Sequence, residues 1–388
     1  MAFAAPRTVA PSDAPSHPRT VAPSHRPTVS IVDSHWGFTT LRPEWNSLLH
    51  ASTANCPFLT WEWLHSWWVH VGRASALRIA TVRVDGELIA IAPFRLTPGP
   101  LPRLEMLGTG EAGSDYLDVI IRRGHEADAA AALETFFESQ NATLQLTHLS
   151  QAASANDVAE RLIASGWRAE TTHGGTCPYI PLAGHTWDSF LATLGSSHRA
   201  NVRRRIRGLE KLEMSFTRVV TQAERAEALA ALVGWHERRF NERGTAFMND
   251  ELRAFHNEVT KRTLDRWLRM YVLRLNGAPV AVMYGFLFAG KFYFFQHGFD
   301  DQYQQHSVGL VLMALSIRAS IAEGAAEFDM LWGTEGYKSL WTSDTRELRN
   351  IRLFPRTFDG LVQRGLFRAR RRLGPLARRV RGLMNHGS

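Results

Sequence analysis

A short polar loop in the last quarter of the chain holds three side chains that can handle protons. Glu335, Tyr337 and Lys338 lie within four positions of one another. A partly buried carboxylate can act as a general base, and a phenol or an ammonium group can protonate a leaving group or stabilise an oxyanion. We therefore predict that Glu335, Tyr337 and Lys338 are catalytic. The simpler alternative is a solvated carboxylate, a core aromatic residue and a surface lysine.

Upstream of this loop, an aromatic strand leads into an apolar helix with a glycine in its first turn. The strand ends near Gln296, a polar turn follows, and the helix extends to Glu323. The free amides and partial positive charge of a helix N-terminus bind phosphate groups well, and glycine lets a ligand approach the backbone. A glycine that only permits close packing is the alternative. The predicted diphosphate-binding residues are Ser307, Val308, Gly309 and Leu310.

Three further polar residues flank the same crossover. Gln296 and His297 close the aromatic strand, where a second substrate would approach, so we predict that Gln296 binds substrate and that His297 is a base. A core histidine satisfied by the backbone is the alternative for His297. Asp329 lies within the next apolar strand, where a buried carboxylate needs a partner. We predict that Asp329 contacts substrate, with a structural role as the alternative.

A basic cluster lies on a predicted helix over residues 197–212. Arg199, Arg203 and Arg207 recur at steps of four, which puts them on one helix face. Guanidinium groups in a row suit phosphates or a nucleotide-linked substrate. We predict that Arg199 and Arg203 bind substrate, and a solvated face paired with nearby glutamates is the alternative.

Composition excludes several classes of protein. Of the 388 residues, 45% are hydrophobic, which is ordinary for a globular chain. The only two cysteines, Cys56 and Cys177, lie far apart and near no histidine pair, so we expect neither a disulfide framework nor a metal site. No apolar segment approaches the roughly 20 residues that span a bilayer, and no secretory signal is evident. We therefore expect a cytoplasmic protein.

The chain divides by composition into four parts. Residues 1–29 are rich in Pro, Ser, Thr and Ala and are expected to be disordered. Two α/β units follow, at 30–178 and 179–358, and each contains a hairpin with a tight turn, Asp85-Gly86 in the first and Asn276-Gly277 in the second. The recurrence of this hairpin predicts an α/β fold with a mixed sheet, built from two tandem units, with the site in the second. Chance recurrence of a common hairpin is the alternative.

The last part, 359–388, is an arginine-rich tail. Eight arginines follow Asp359 without another acidic residue, so the net charge of +8 belongs to the tail. Apolar residues recur there at steps of three or four, which predicts a basic amphipathic helix over 361–384 that binds an anionic membrane surface. Nucleic-acid phosphates and the protein's own body are the alternative partners. The oligomeric state cannot be inferred from the sequence.

The crossover segment resembles the GNAT acyltransferase superfamily, in particular its CelD-like and Fem-like branch. The matching motifs are Gly298-Phe299-Asp300, Ser307-Val308-Gly309, Phe328-Asp329-Met330 and the run from Gly333 to Trp341. The resemblance implies tandem GNAT-like units, acyl-CoA as co-substrate with its pyrophosphate at Gly309, and an amine as acceptor. Two positions of the usual acyl-CoA signature differ, since His306 replaces Arg or Gln and Val311 replaces Gly or Ala.

The expected function is therefore N-acyl transfer from acyl-CoA to an amino group of a sugar, a cell-envelope precursor or a small metabolite. The resemblance also leaves a Fem-like alternative open, in which an aminoacyl-tRNA is the donor and a peptidoglycan precursor is the acceptor. A third alternative is a non-catalytic scaffold in envelope polysaccharide synthesis. The location implied by the predicted tail is the inner face of the membrane, as a peripheral protein.

Overall fold

A mixed sheet of 13 strands runs through the molecule. The computed structural model describes residues 26–97, 102–240, 247–369 and 371. The strands are β1 (Thr28–Val32), β2 (Ala76–Val84), β3 (Glu87–Thr97), β4 (Arg103–Met106), β5 (Ile120–Ile121), β6 (Thr143–Leu149), β7 (Arg168–Pro181), β8 (Met214–Arg218), β9 (Leu268–Leu275), β10 (Ala278–Phe288), β11 (Lys291–Phe299), β12 (Glu327–Asp329) and β13 (Thr345–Phe354). The helices are α1 (His35–Thr40), α2 (Arg42–His50), α3 (Trp61–Trp67), α4 (Glu126–Ser139), α5 (Ala155–Ala164), α6 (Trp187–Thr193), α7 (Ser196–Glu210), α8 (Gln222–Phe240), α9 (Asp250–Thr263) and α10 (Val308–Ala322).

Both predicted hairpins are present. The β2–β3 pair turns at Asp85-Gly86 and the β9–β10 pair at Asn276-Gly277, and all four residues have positive φ values. This is the type I′ geometry that matches the right-handed twist of the flanking strands. The sequence of each turn therefore specified its strand pairing locally.

The strand order has an internal two-fold pattern. It reads β1-β2-β3-β4-β6-β13-β7-β12-β11-β10-β9-β8, with β5 beside β3. In each half an antiparallel meander is followed by a crossover helix and a parallel strand: α4 leads from β4 to β6, and α10 leads from β11 to β12. The fold is therefore an α/β tandem of two GNAT-like units, and the prediction of fold class is confirmed.

The halves exchange their last strands. β7 follows the first unit in sequence but pairs with β12 of the second, and β13 follows the second unit but pairs with β6 of the first. β7 and β13 pair with each other along ten residues at the centre of the sheet. The predicted boundary at 178/179 consequently falls inside β7, and the 179–358 unit includes a strand that completes its neighbour.

Helices cover both faces of the sheet around the second unit. α6, α7 and α10 share one hydrophobic core with one face of β9–β12. The other core contains α8 and α9 together with the tryptophan-rich α3 of the first unit, where Trp63 meets Phe286 and Phe295 edge-on. Aromatic packing therefore fixes the first unit against the second beside the predicted site.

Two segments have structures that depend on contacts outside their own sequence. Residues 116–121 are largely apolar, but only Ile120–Ile121 pairs as a strand, because Tyr116 has a φ of +55° and the carboxylate of Asp118 accepts hydrogen bonds from the backbone amides of Val119, Ser154 and Ala155. Strand β7 was not predicted at all. Its exposed Thr and His residues leave little apolar alternation, although it occupies the middle of the sheet.

The chain termini are described only in part. β1 begins at Thr28, so the last two residues of the segment expected to be disordered (1–29) are ordered, while 1–25 lie outside the described residues. Residues 358–369 are helical, and Arg364 and Arg368 both bind Glu170 of β7. Most of the predicted amphipathic segment 361–384 lies beyond the described residues. Within the described part of the chain, no helix is long and apolar enough to cross a membrane.

Candidate active site

The site forms where β11 and β12 part. The two strands pair in parallel only from Lys291 to Tyr293 on β11. Beyond this, the pairing of β10 with β11 skips a residue at Phe295, and Leu331 after β12 has a φ of +54°. A β-bulge and a left-handed residue both redirect a strand, so the two backbones diverge and leave a wedge between them.

Helix α10 begins at the edge of this wedge with free amides. Its N-cap, Ser307, has a φ of +57° and makes no side-chain capping hydrogen bond, and the first turn contains no acidic residue. The counterpart in the first unit, α4, has Glu126 and Asp128 in its first turn. These carboxylates compensate the dipole of α4, whereas the positive end of α10 is uncompensated by its own sequence. Of the two crossovers, the second is the one suited to an anion.

Gly309 has a packing reason as well as a possible binding role. A Cβ atom placed on Gly309 would lie 3.1 Å from two atoms of the Phe299 ring. The glycine therefore permits close approach of α10 to the end of β11. This finding supports the simpler alternative for the glycine itself. The residues of the first turn line the cavity described next.

A cavity of about 750 Å³ fills the wedge. All four residues predicted to bind diphosphate, at positions 307–310, line it. Two cations, Arg239 and Lys338, and one carboxylate, Glu335, also belong to its wall. Arg239 lies over the Phe299 ring at 4.8 Å. An elongated anionic ligand is therefore compatible with the charge, the size and the free amides of this cavity.

Lys338 is buried, at 4% exposure, and holds the loop that follows β12. Its Nζ donates to the carbonyl oxygens of Leu331, Trp332 and Gly333 at 3.4, 3.0 and 3.3 Å and lies 3.0 Å from Oε2 of Glu335. Three carbonyls and a carboxylate satisfy the ammonium group, so Lys338 shapes this loop in addition to lining the cavity.

The other predicted catalytic residues line the same cavity. Glu335 is exposed, Tyr337 is half-buried, and the Tyr337 ring meets His297 edge-on at 5.6 Å. Desolvation lowers the pKa of His297 to about 3, with the nearby positive charges of Arg239 and Lys338 contributing. Burial raises the pKa of Tyr337. A histidine that holds a proton so weakly is a poor base at neutral pH, whereas Tyr337 keeps its hydroxyl hydrogen and can donate it to an acceptor in the cavity.

Gln296 and Asp329 have different positions. Gln296 lines the wedge and also a smaller neighbouring cavity. Asp329 lies outside both and belongs to the wall of a separate cavity, where it accepts hydrogen bonds from Tyr116 at 2.7 Å and Arg346 at 3.1 Å. Desolvation raises its pKa to about 6. The structure therefore places Asp329 outside the cavity at the start of α10, and its bonds connect β12 with the loop before β5 and with β13.

The predicted arginine face points away from the wedge. Arg199 donates to the carbonyl of Ala192 at 3.1 Å, and Arg203 lies 3.6 Å from Asp188, so both engage α6 and its vicinity. The residues of α7 that do line the cavity are His198 and Asn201. A four-residue spacing correctly groups the arginines on one face, but it does not reveal which face the helix presents to the site.

Sequence reasoning also missed Arg239. It occupies the last turn of α8 and reaches the cavity because α8 packs against β10 and β11. No motif in the sequence around Arg239 predicts this contact. Among the described residues, no group of three or more His, Cys, Asp or Glu side chains has an arrangement that could hold a metal ion.

Known proteins resemble this chain in one domain of the sequence and in the fold. Residues 196–339 match the family model described as "Acetyltransferase (GNAT) domain". No curated protein matches the chain in sequence. Among solved structures, FemX is similar at a TM-score of 0.60 and 10% identity, over 80% of this chain and 95% of FemX.

Two further structures share the fold. A conserved protein of unknown function from Bacteroides thetaiotaomicron has a TM-score of 0.56 at 14% identity, over 84% of this chain and 99% of its own. L-PGS from Bacillus licheniformis has a TM-score of 0.53 at 12% identity, over 80% of this chain and 90% of its own. At such identities the likeness concerns the fold alone.

The matched domain is of the acyltransferase class, and it contains the helix N-terminus that opens into the wedge between two parallel strands. Residues 196–339 match a GNAT acetyltransferase domain, and the chain as a whole shares the fold of FemX.

Proposed function

We propose that this protein transfers an acyl group from acyl-CoA to a primary amine carried by a sugar, a cell-envelope precursor or a small metabolite. The observation that carries the proposal is the N-terminus of α10, whose first-turn amides lack a capping side chain and line a cavity of about 750 Å³. A diphosphate supplies acceptors for these amides and negative charge for the dipole.

The residues that line the cavity suit different roles in the proposed reaction. The amides at 308–310 and Arg239 bind the diphosphate, and the acyl-pantetheine arm lies in the wedge between β11 and β12. Tyr337, protonated at neutral pH, donates a proton to the departing thiolate. Lys338 keeps the loop beside the thioester in place through its three carbonyl contacts.

The Fem-like alternative, with an aminoacyl-tRNA as donor, is favoured by a different observation. The basic helix α7 borders the cavity through His198 and Asn201, and its arginines 199, 203, 204 and 207 are exposed or half-exposed on the surface outside the cavity. Such a row suits the phosphates of a nucleic acid. The altered positions His306 and Val311 of the acyl-CoA signature agree with this alternative.

Calorimetric titration with acetyl-CoA and longer acyl-CoA thioesters tests the proposal. We expect binding of an acyl-CoA with a micromolar Kd and competition by CoA. A matched titration with an aminoacyl-tRNA at low and high salt tests the alternative. Salt-sensitive binding of the aminoacyl-tRNA together with no heat from any acyl-CoA would replace the proposed donor.

We further propose that the C-terminal segment 361–384 binds an anionic membrane surface. The described part of this segment supports the idea, since Phe358, Leu361 and Leu366 are exposed on the helix at 358–369 and arginines follow in the sequence. Exposed apolar side chains beside cations suit a lipid interface. In sedimentation with anionic liposomes the full chain should pellet at low salt, and a chain ending at residue 357 should stay in solution.

A further inference from the structure

The first unit places a histidine and a buried carboxylate beside the wedge. The Nδ1 atom of His148, on β6, lies 3.0 Å from Oδ1 of Asp115 and 3.0 Å from the carbonyl oxygen of Ser114. Both neighbours are acceptors, so Nδ1 must carry a hydrogen in the neutral ring, and Nε2 is then the basic nitrogen. Nε2 has no hydrogen-bond partner within the described part of the chain.

The backbone of β6 is distorted at this histidine. His148 has a φ of +52°, a conformation that residues other than glycine rarely adopt. In the pairing of β6 with β13, two residues of β6, Thr147 and His148, stand opposite one residue of β13, Asn350. The backbone amide of His148 donates to Oδ1 of Asn350 at 2.8 Å instead. A β-bulge re-aims a side chain, and such strain is retained mainly where a function needs it.

The carboxylate connects the histidine to the wedge. Asp115 is 3% exposed, and its second oxygen, Oδ2, accepts the backbone amide of Trp332 at 2.8 Å. The Trp332 ring lies nearly parallel to the His148 ring, with 6.4 Å between their centroids, and is 60% exposed. One buried carboxylate therefore orients both the imidazole and the loop whose carbonyls bind Lys338.

The pair faces a cavity of about 300 Å³ that adjoins the wedge. The two cavities share the residues Phe295, Gln296, Leu331 and Trp332, which stand where β11 and β12 part. Glu111, Asp115 and His148 are the titratable groups on the wall of the smaller cavity, and no lysine or arginine belongs to the part of that wall the structure describes. The larger cavity suits an anion, and the smaller one suits a cation.

We propose that this smaller cavity binds the acceptor as a primary ammonium compound and that Nε2 of His148 is the base that deprotonates it. The inference rests on the proposed function, because it needs a thioester in the adjoining wedge. Glu111 and Asp115 attract the ammonium group, and the exposed face of Trp332 offers a platform for a sugar ring or another flat apolar surface.

The chemical step balances without a further reactant. The ammonium group gives one proton to Nε2 of His148, and the neutral nitrogen attacks the thioester carbon and forms the C–N bond. The C–S bond breaks, the sulfur keeps the electron pair, and the thiolate takes a proton from Tyr337. The second proton that the nitrogen loses as the amide forms restores Tyr337. His148 then releases its proton to solvent. Asp115 stabilises the transient imidazolium ion.

The surroundings of His148 support this role. Hydrogen bonding to Asp115 and its negative charge outweigh desolvation and raise the pKa of His148 above its ordinary 6.5. The other titratable groups near the pair are Glu111 on the cavity wall and the buried thiol of Cys177 on β7. Burial, together with the charge of Asp115, raises the pKa of this thiol. Because the reaction needs the unprotonated ring, the rate should rise as the pH increases through this raised pKa.

The experiment compares His148→Gln with Asp115→Asn and a matched control, His173→Gln. His173 also pairs with a carboxylate, Glu347 at 2.6 Å, but lies outside both cavities. Acetyl-CoA binding is measured by calorimetry, and CoA release is followed with amino sugars, ethanolamine and hydroxylamine as nucleophiles. Hydroxylamine is uncharged at neutral pH and needs no base to become nucleophilic.

We expect His148→Gln to bind acetyl-CoA within about twofold of the wild type, to lose about 100-fold or more in kcat with ammonium-type acceptors, and to keep most of its rate with hydroxylamine. Its rate should also lose the acidic limb of the pH profile. Asp115→Asn should shift that limb to lower pH, and His173→Gln should behave like the wild type.

Each contrary result has a distinct meaning. Wild-type kcat and pH dependence in His148→Gln would overturn the role of His148 while leaving the acyltransferase intact. Failure of the wild type to bind any acyl-CoA would refute the proposed donor, and the assignment of His148 would fall with it. If His148→Gln does not fold, nitrogen NMR of labelled histidines in the wild type decides: a hydrogen on Nε2 in the neutral ring refutes the proposal.

Discussion

Replacing Ser307 with Asp tests the anion site at the start of α10, because the variant should be more stable than the wild type and should bind acyl-CoA more weakly. Ser307 has a φ of +57°, which Asp tolerates better than most residues, and its side chain makes no capping bond that would be lost. A carboxylate at this position interacts favourably with the helix dipole, by about 0.3–1 kcal/mol. The variant should therefore unfold at a slightly higher temperature than the wild type.

Binding should change in the other direction. Two unit charges about 5 Å apart repel by about 3 kcal/mol at an effective dielectric constant of about 20. Ser307 is half-exposed, so solvent screening reduces this to about 2 kcal/mol, or about 30-fold in the Kd of acyl-CoA. Calorimetry gives the Kd, and thermal denaturation gives the stability.

The matched control is His125→Asp, which places the same group at the uncapped start of α4. This helix lies outside the wedge, so its Kd for acyl-CoA should remain at the wild-type value. A Kd for Ser307→Asp within about threefold of the wild type, measured on a folded variant, would show that the diphosphate does not bind at α10.

Three other outcomes are expected. Lys338→Met should lose about 2–3 kcal/mol of unfolding free energy in urea because three carbonyls lose their donor. Lys291→Met, which removes a partly exposed ion pair with Glu327, should lose less than about 1 kcal/mol. Equal losses would contradict the structural role of Lys338. The pKa of Asp329 is raised to about 6, so the folded state binds a proton more tightly than the unfolded state. The free energy of unfolding of the wild type should therefore fall by up to about 3 kcal/mol between pH 4 and pH 7. Urea titrations at several pH values should show this slope for the wild type and not for Asp329→Asn. Burial raises the pKa of Cys56 to about 12 and also raises that of Cys177. Ellman's reagent should therefore detect no thiol in the native protein and two thiols in urea. Rapid labelling of the native protein would contradict the burial of these thiols.

The local features of the fold were predictable because their causes lie close together in sequence. The Asn276-Gly277 turn requires positive φ values that these residues supply, and it sets the register of β9 and β10 on its own. The apolar α10 and its glycine, between two strands, likewise indicated the crossover. These signals sufficed for the tandem α/β architecture and for the cavity-lining positions 307–310.

The parts that escaped prediction depend on contacts between distant residues. Strand β7 is polar in sequence and is held in the sheet by β13, whose partners lie more than 150 residues away. Asp329 looked like a site residue because its neighbours match the motif, yet its partners Tyr116 and Arg346 come from other elements. His148 was overlooked for the same reason, since Asp115 reaches it only through the folded loop.

The exchange of β7 and β13 has a consequence for how the protein is made. The sheet of the first unit remains incomplete until Leu353 reaches Leu144, a pairing across more than 200 residues. During synthesis from the N-terminus, the edge of β6 stays uncovered until nearly the whole polypeptide has been made. Neither half can mature ahead of the other on the ribosome, and a nascent chain halted before residue 345 would present an open edge to which other strands can add.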